Sequence, residues 1–232
     1  MSIKSGKRFL MITFSGLAFI LTLMAAPQPT VAKTRTELRQ IVEQATATYK
    51  SFVNDPNLTW IRKNLKKAKA IIIIPASYKG GFIIGAEGGN CVVLARDEKN
   101  CDWSYPAFYS MGSLSIGFQI GGKVSEIILL VMTDYGREAV LSTNFKLGAD
   151  ISVAAGPVGA GAEVKTVDVL AFARAKGAFG GISISGTVIN SQNDWNEIYY
   201  GKKVRAIDIL HDHTVSSPDA APLVEELNKL CD

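Results

Sequence analysis

The chain has 232 residues, with 25 basic side chains against 21 acidic ones and a formal net charge of +4. Three of the basic residues, Lys4, Lys7 and Arg8, lie in the first 32 positions, which hold no acid. The remainder, about 200 residues, is close to neutral, which excludes a globally basic nucleic-acid binder and leaves enough chain for one sizeable core without an interdomain linker.

Residues 1–32 read as a secretory signal. A basic start is followed by the uncharged, mostly apolar run Phe9 to Ala26, and Thr30-Val31-Ala32 supplies small residues for cleavage after Ala32. The apolar run of 18 residues also reaches the lower limit of a bilayer span, so a retained anchor is the minor alternative. The first cysteine is Cys91, so no lipid-modified N-terminus is expected. The expected location is exported, periplasmic or extracellular.

Residues 35–53 form the clearest predicted helix. Leu38, Ile41, Val42, Ala45, Tyr49 and Phe52 make one apolar stripe, and Thr34 and Glu37 have capping-box spacing. Asp55 and Pro56 start a second, shorter helix to about Lys67, with Leu58, Ile61 and Leu65 inward. Trp60 flanks that stripe. The stretch Arg62 to Lys69 holds five basic residues (Arg62, Lys63, Lys66, Lys67, Lys69) and no acid.

From Ala70 the apolar period falls from 3.6 to 2, or becomes continuous. The predicted strands are 70–74, 81–86, 92–96, 114–121, 127–133, 149–155, 167–173 and 182–189, with the first ended by Pro75 and turned through Ala76 to Gly80. Leu114, Ile116, Phe118 and Ile120 alternate with Ser113, Ser115, Gly117 and Gln119, and so do Ile182, Ile184 and Val188 with Ser183, Ser185 and Thr187; this marks sheets with one buried face. Ile127 to Met132 does not alternate and is expected to be covered on both faces. Twenty-one glycines, many paired, mark bends and bulges where a sheet curls. A last short helix is predicted at about 222–230. The expected fold is α+β: a curved, mainly antiparallel or barrel-like sheet with N-terminal amphipathic helices and a short C-terminal helix. Expected boundaries are 1–32 for the signal, 33–215 for the domain and 216–232 for a helical tail.

Chemistry is sparse. His211 and His213 are two apart in an extended segment and point to opposite sides, so no metal site is expected. Gly112-Ser113-Leu114-Ser115-Ile116-Gly117 is not a nucleophile elbow, and the glycine runs 85–89 and 156–161 lack a phosphate loop's lysine. No catalytic residue and no cofactor are expected. With a turn at Asp97 to Asn100, Arg96 faces Cys101 and Cys91 lies five residues down its strand, too far for a disulfide; Cys231 remains a partner for either or a free thiol.

From Trp103 onward the chain resembles a known family. Trp103-Ser104-Tyr105-Pro106-Ala107-Phe108, Gly117 to Gly122, Leu147 to Gly159, Ala175 to Gly181, Tyr199-Tyr200-Gly201 and Ile207 to Leu210 follow one another in the order seen in the SYLF lipid-binding domain family, in its exported bacterial form. Lys67-Ala68-Lys69, the isoleucine strand, Pro75 and Lys79-Gly80-Gly81-Phe82 match as well. The likeness runs over about residues 36–211; Phe172 to Gly181 lacks a tyrosine and serines that the family often carries there, and the segment after Leu210 falls outside it. The resemblance implies a non-enzymatic phospholipid-binding module whose N-terminal amphipathic region and basic surface meet the membrane. The expected lipid-contact residues are Trp60, Arg62, Lys63, Lys66, Lys67, Lys69 and Lys79, with Trp60 at the headgroup layer and the bases on anionic phospholipid. An envelope protein is a further expected partner, and actin, a partner of eukaryotic members, is not expected for an exported protein. Two other functions fit the residues: an envelope interaction or structural module, and a carrier holding an apolar ligand inside the curved sheet.

Overall fold

A computed structural model of the chain describes residues 32–81, 84–97, 100, 102–116, 121–157, 167–175, 178–179 and 184–229. The signal and cleavage readings therefore lie outside the described residues, apart from Ala32, as do Cys101, Cys231 and the Gly117 to Ile120 motif.

Helix α1 spans Arg35–Val53. Its start is fixed by reciprocal hydrogen bonds: the Glu37 amide donates to Thr34 Oγ1 at 3.3 Å and the Thr34 amide donates to Glu37 Oε2 at 2.7 Å. Its stripe Leu38, Ile41, Val42, Ala45, Tyr49 and Phe52 is buried, as the period required. Asp55 then accepts the Asn57 amide at 2.8 Å and opens a 3₁₀ turn, Pro56–Leu58. Helix α2, Thr59–Asn64, and a second 3₁₀ turn, Leu65–Lys67, follow without a break.

Among the described residues the strands are β1 Ala70–Gly81, β2 Ile84–Ala95, β3 Ala107–Ile116, β4 Gly121–Val131, β5 Asn144–Lys146, β6 Val153–Ala155, β7 Val169–Ala175, β8 Ala178–Phe179 and β9 Val188–Ser191. They form one curled sheet in the order β5-β9-β3-β2-β1-β4-β7-β6, with β8 on β7; every pairing is antiparallel except β6 with β7. Among the described residues four further helices follow: α3 Asp134–Leu141, α4 Asn193–Tyr200, α5 Ala206–Leu210 and α6 Ala221–Asn228.

The first strand is longer than its sequence suggested. Pro75 does not end it: the register shifts between Ile73 and Ala76 toward β2 and between Ile74 and Ser77 toward β4, so the proline, which has no amide to donate, sits in a bulge and pairing resumes to Gly81. Gly89 is required there, since a Cβ would stand 2.7 Å from the Ala76 carbonyl oxygen. Likewise Gly88-Gly89 is not a turn; the predicted strands 81–86 and 92–96 are one strand, β2. Residues 107–113, outside every predicted strand, pair with β2 as the first part of β3.

The sheet is covered on both faces at its centre. On one face Ile71, Ile73, Val92, Leu94, Phe108, Ile128 and Phe172 pack under α1, the 56–67 segment and α6. On the other Ile72, Ile74, Val93, Tyr109 and Leu129 meet Val140 of α3, Phe145, and Ile209 and Leu210 of α5. The isoleucine run and Ile127–Val131 are thus buried on both sides, which their lack of alternation anticipated. Residues 216–229 belong to the same core as residues 33–215. Leu223 and Leu227 are wholly buried, Asp219 pairs with Arg39 at 2.9 Å and Glu226 with Lys50 at 3.3 Å, and the Trp103 amide donates to Asn228 at 3.1 Å.

Candidate functional site

The basic stretch is held outward by its apolar side. Leu58, Ile61 and Leu65 are wholly buried, so helical geometry turns Arg62, Lys63, Lys66 and Lys67 to the surface. Lys63, Lys66 and Lys67 form no ion pair among the described residues. Arg62 donates to the Val53 carbonyl at 3.4 Å. Lys69 is engaged differently: its side chain is only 20% exposed and its ammonium pairs with Asp134 at 3.1 Å.

Lys79 is not part of this cluster. It lies ten residues further along β1, roughly 30 Å away at strand rise. It stands opposite Glu87 on β2 and Lys123 on β4. Trp60 is half-buried and stacks on Phe172, with ring centroids 5.9 Å apart at 29°. Its indole therefore contributes to the core face under α2.

Beyond the reach of α1 no described residue covers the same sheet face, and the sequence did not reveal this. The alternation of Leu114 with its serines was read as a buried face, yet Leu114 is 81% exposed, and Tyr78, Ile84 and Val124 are also open. Alternation reports that one face is apolar; it does not report whether anything covers it. The boundary is polar. Arg174 of β7 donates to Glu126 of β4 at 2.6 and 3.0 Å and to Ser51 of α1 at 2.7 Å, and Thr48 of α1 donates to Glu126 at 3.1 Å.

Other candidate chemistry is quiet. No group of acids, histidines or cysteines among the described residues has the geometry to hold a metal, and the His211 ring lies against the adjacent Asp212, at 2.8 Å. Cys91 is a fully buried free thiol opposite Tyr109, and burial pushes its pKa up, away from the thiolate a nucleophile needs. An apolar pocket on the α3 side, lined by Ile74, Met111, Leu129 and Ile184, offers about 10 Å³, the room of one water, whereas a ligand site needs several hundred Å³. No helix among the described residues is long and apolar enough to cross a membrane.

Comparison with known proteins adds the family. Residues 112–230, just over half of the chain, match the profile of the Ysc84 family, described as Las17-binding protein actin regulator. The chain belongs to the SYLF, or Ysc84, family. The match runs well past residue 211, where the motif likeness ended, and takes in α6. The chain is 33% identical over 172 residues to the rat SH3 domain-containing YSC84-like protein 1 and 32% to the human one, covering 71% of this chain and 49% of each relative. It is 30% identical over 174 residues to the yeast Protein YSC84, covering 70% of this chain and 36% of that protein. The chain thus spans about half or less of these relatives. No solved structure matches it. These findings correct one expectation: relatives are described as Las17-binding actin regulators, so actin-linked partners are not excluded for a SYLF protein. The relatives are named as binding or regulatory proteins and not as enzymes.

Proposed function

We propose that this SYLF protein is a non-enzymatic peripheral module that binds anionic phospholipid surfaces through Arg62, Lys63, Lys66 and Lys67, and that residues 1–32 direct its export. One observation carries the reading: a rigidly seated helical segment presents consecutive bases outward, three of them without an ion-pair partner among the described residues. Each base near an anionic surface contributes about 1 kcal/mol, so the set supports reversible attachment. Co-sedimentation of the full chain with phosphatidylcholine–phosphatidylglycerol vesicles, and with phosphatidylcholine alone, tests it. Binding should need the anionic lipid, weaken with salt, and fall at least tenfold in K63E/K66E/K67E. Equal binding of variant and parent would reject the segment as the site.

The family description, Las17-binding protein actin regulator, favours a second reading, attachment to a protein of the actin machinery. Co-sedimentation of the purified chain with filamentous actin separates the two; retention on actin with none on vesicles would replace the lipid reading.

A further inference from the structure

The bare sheet face has an internal order. Residues directly opposite on antiparallel strands share a face. Taken across β4, β1, β2 and β3, one row is Val124, Tyr78, Gly88, Gly112 and the next is Gly122, Gly80, Ala86, Leu114, with Ile84 beyond. No position in these rows is charged. The reverse face at the same level carries Ser77, Lys79, Glu87, Ser113, Ser115, Lys123 and Ser125. The region is an amphipathic four-stranded tongue. Among the described residues β9 pairs with β3 only as far as Gly112, and β7 with β4 only from Ser125.

Its glycines have no internal reason. Gly80, Gly88, Gly112 and Gly122 all lack the left-handed backbone that demands glycine. A Cβ at any of them would meet nothing closer than 3.7 Å. Glycine weakens a strand, and in a curled sheet it serves either a tight bend or the close approach of a ligand or another backbone. The result is a shallow face from which, among the described side chains, Tyr78, Ile84, Leu114 and Val124 project.

We infer that this tongue is a second membrane-contact surface, laying Tyr78, Ile84, Leu114 and Val124 into the interfacial layer of an anionic bilayer. The inference rests on the reading of the protein as a membrane binder but uses a surface some 30 Å along β1 from the basic segment. Three features select lipid. The four side chains expose roughly 500 Å², a functional-sized patch for a monomer, yet short of the ~800 Å² per partner that a stable dimer buries. A fluid matrix needs no shape match to so flat a relief. Finally, the row Lys123, Lys79 and Glu87 across β4, β1 and β2 carries one more base than acid, a charge of the sign that an anionic surface attracts.

The test is vesicle flotation of the full chain, parent against Ile84→Ser/Leu114→Ser, with K63E/K66E/K67E alongside. Both serine positions are well exposed, so folding is preserved and is checked by thermal unfolding. The double variant should lose at least tenfold in partition onto anionic vesicles, by the apolar area withdrawn from lipid. Independently, L114W should emit at shorter wavelength on vesicles and be quenched by lipid brominated in the acyl chain. Unchanged flotation of the double variant, with no quenching of L114W, overturns the tongue while leaving the basic-segment reading standing if K63E/K66E/K67E has lost binding. Loss in the serine variant alone keeps the tongue and rejects the basic segment. A parent that binds no vesicle rejects both. A parent that sediments as a dimer, made monomeric by the serine changes, assigns the face to a second copy and overturns the lipid assignment.

Discussion

Replacing Glu126 with alanine should destabilise the domain by about 2 kcal/mol, whereas replacing Glu126 and Arg174 together with leucine should leave it near the parent. Arg174 is 16% exposed and Glu126 34% exposed, so the guanidinium is the more deeply withdrawn partner. Removing one member of a fully buried pair costs about 3–5 kcal/mol because the other charge is left desolvated. Partial exposure of the carboxylate admits water and lowers that figure toward 2. Thr48, 2% exposed, loses an acceptor as well, at about 0.5–1 kcal/mol. The double change E126L/R174L removes the charge together with its partner and fills the same volume, so it should lie within about 1 kcal/mol of the parent. Urea unfolding followed by circular dichroism reads the parent and both variants; with a slope near 2–3 kcal/mol per molar, E126A should shift the midpoint down by about 1 M. A midpoint unchanged in E126A, or a double variant weaker than the single, would refute the argument that this pair seals the edge between covered and bare sheet.

Two further outcomes follow from packing and titration. At Gly156 a Cβ would fall 2.2 Å from the ring of buried Phe172, so G156A should cost about 1–3 kcal/mol and disturb the Trp60–Phe172 stack, visible in near-ultraviolet circular dichroism. Asp168 accepts hydrogen bonds from the Ser152 hydroxyl at 2.7 Å, the Thr133 hydroxyl at 2.6 Å and the Ser152 amide at 2.9 Å, and these hold its carboxyl below its ordinary value of 3.8. A carboxylate with a lowered folded pKa adds stability above its ordinary pKa and loses it as pH falls through the folded value. D168N should therefore be less stable than the parent at neutral pH, with the gap narrowing below pH 3.8 in urea unfolding.

Helices were legible wherever one face was apolar and a cap was written in adjacent residues. Thr34 with Glu37 and the stripe from Leu38 to Phe52 marked α1 to its ends because both signals are local. The core strands were legible from composition, since Ile71 to Ile74 and Ile127 to Val131 have no polar side to turn outward. What failed was punctuation. Pro75 looks like a chain reversal, but it lies in a bulge of β1 whose Ala76 carbonyl needs the bare Gly89 of β2 beside it; that contact is a fact of register, invisible in one stretch of sequence. The basic segment was readable as outward-facing from Leu58, Ile61 and Leu65. The lodging of Trp60 on Phe172 and the separation of Lys79 were not, because each depends on a neighbour distant in the chain. The uncovered face around Leu114 was hidden for the same reason: the helices that stop short of it are written elsewhere.

The contact of α1 with α6 has a consequence for how this domain is made. Tyr49 of α1 donates to the Glu226 carbonyl at 3.4 Å, and Leu223 and Leu227 complete the apolar layer above β1 and β2. Helix α1 thus waits for α6, far along the chain, before its stripe is fully covered. Central β1, flanked by β2 and β4, is likewise finished only when later strands arrive. Folding with so many distant contacts is slow, and the chain carries an open apolar surface until α6 docks. A chaperone holding the unfinished domain would therefore be released by the docking of α6.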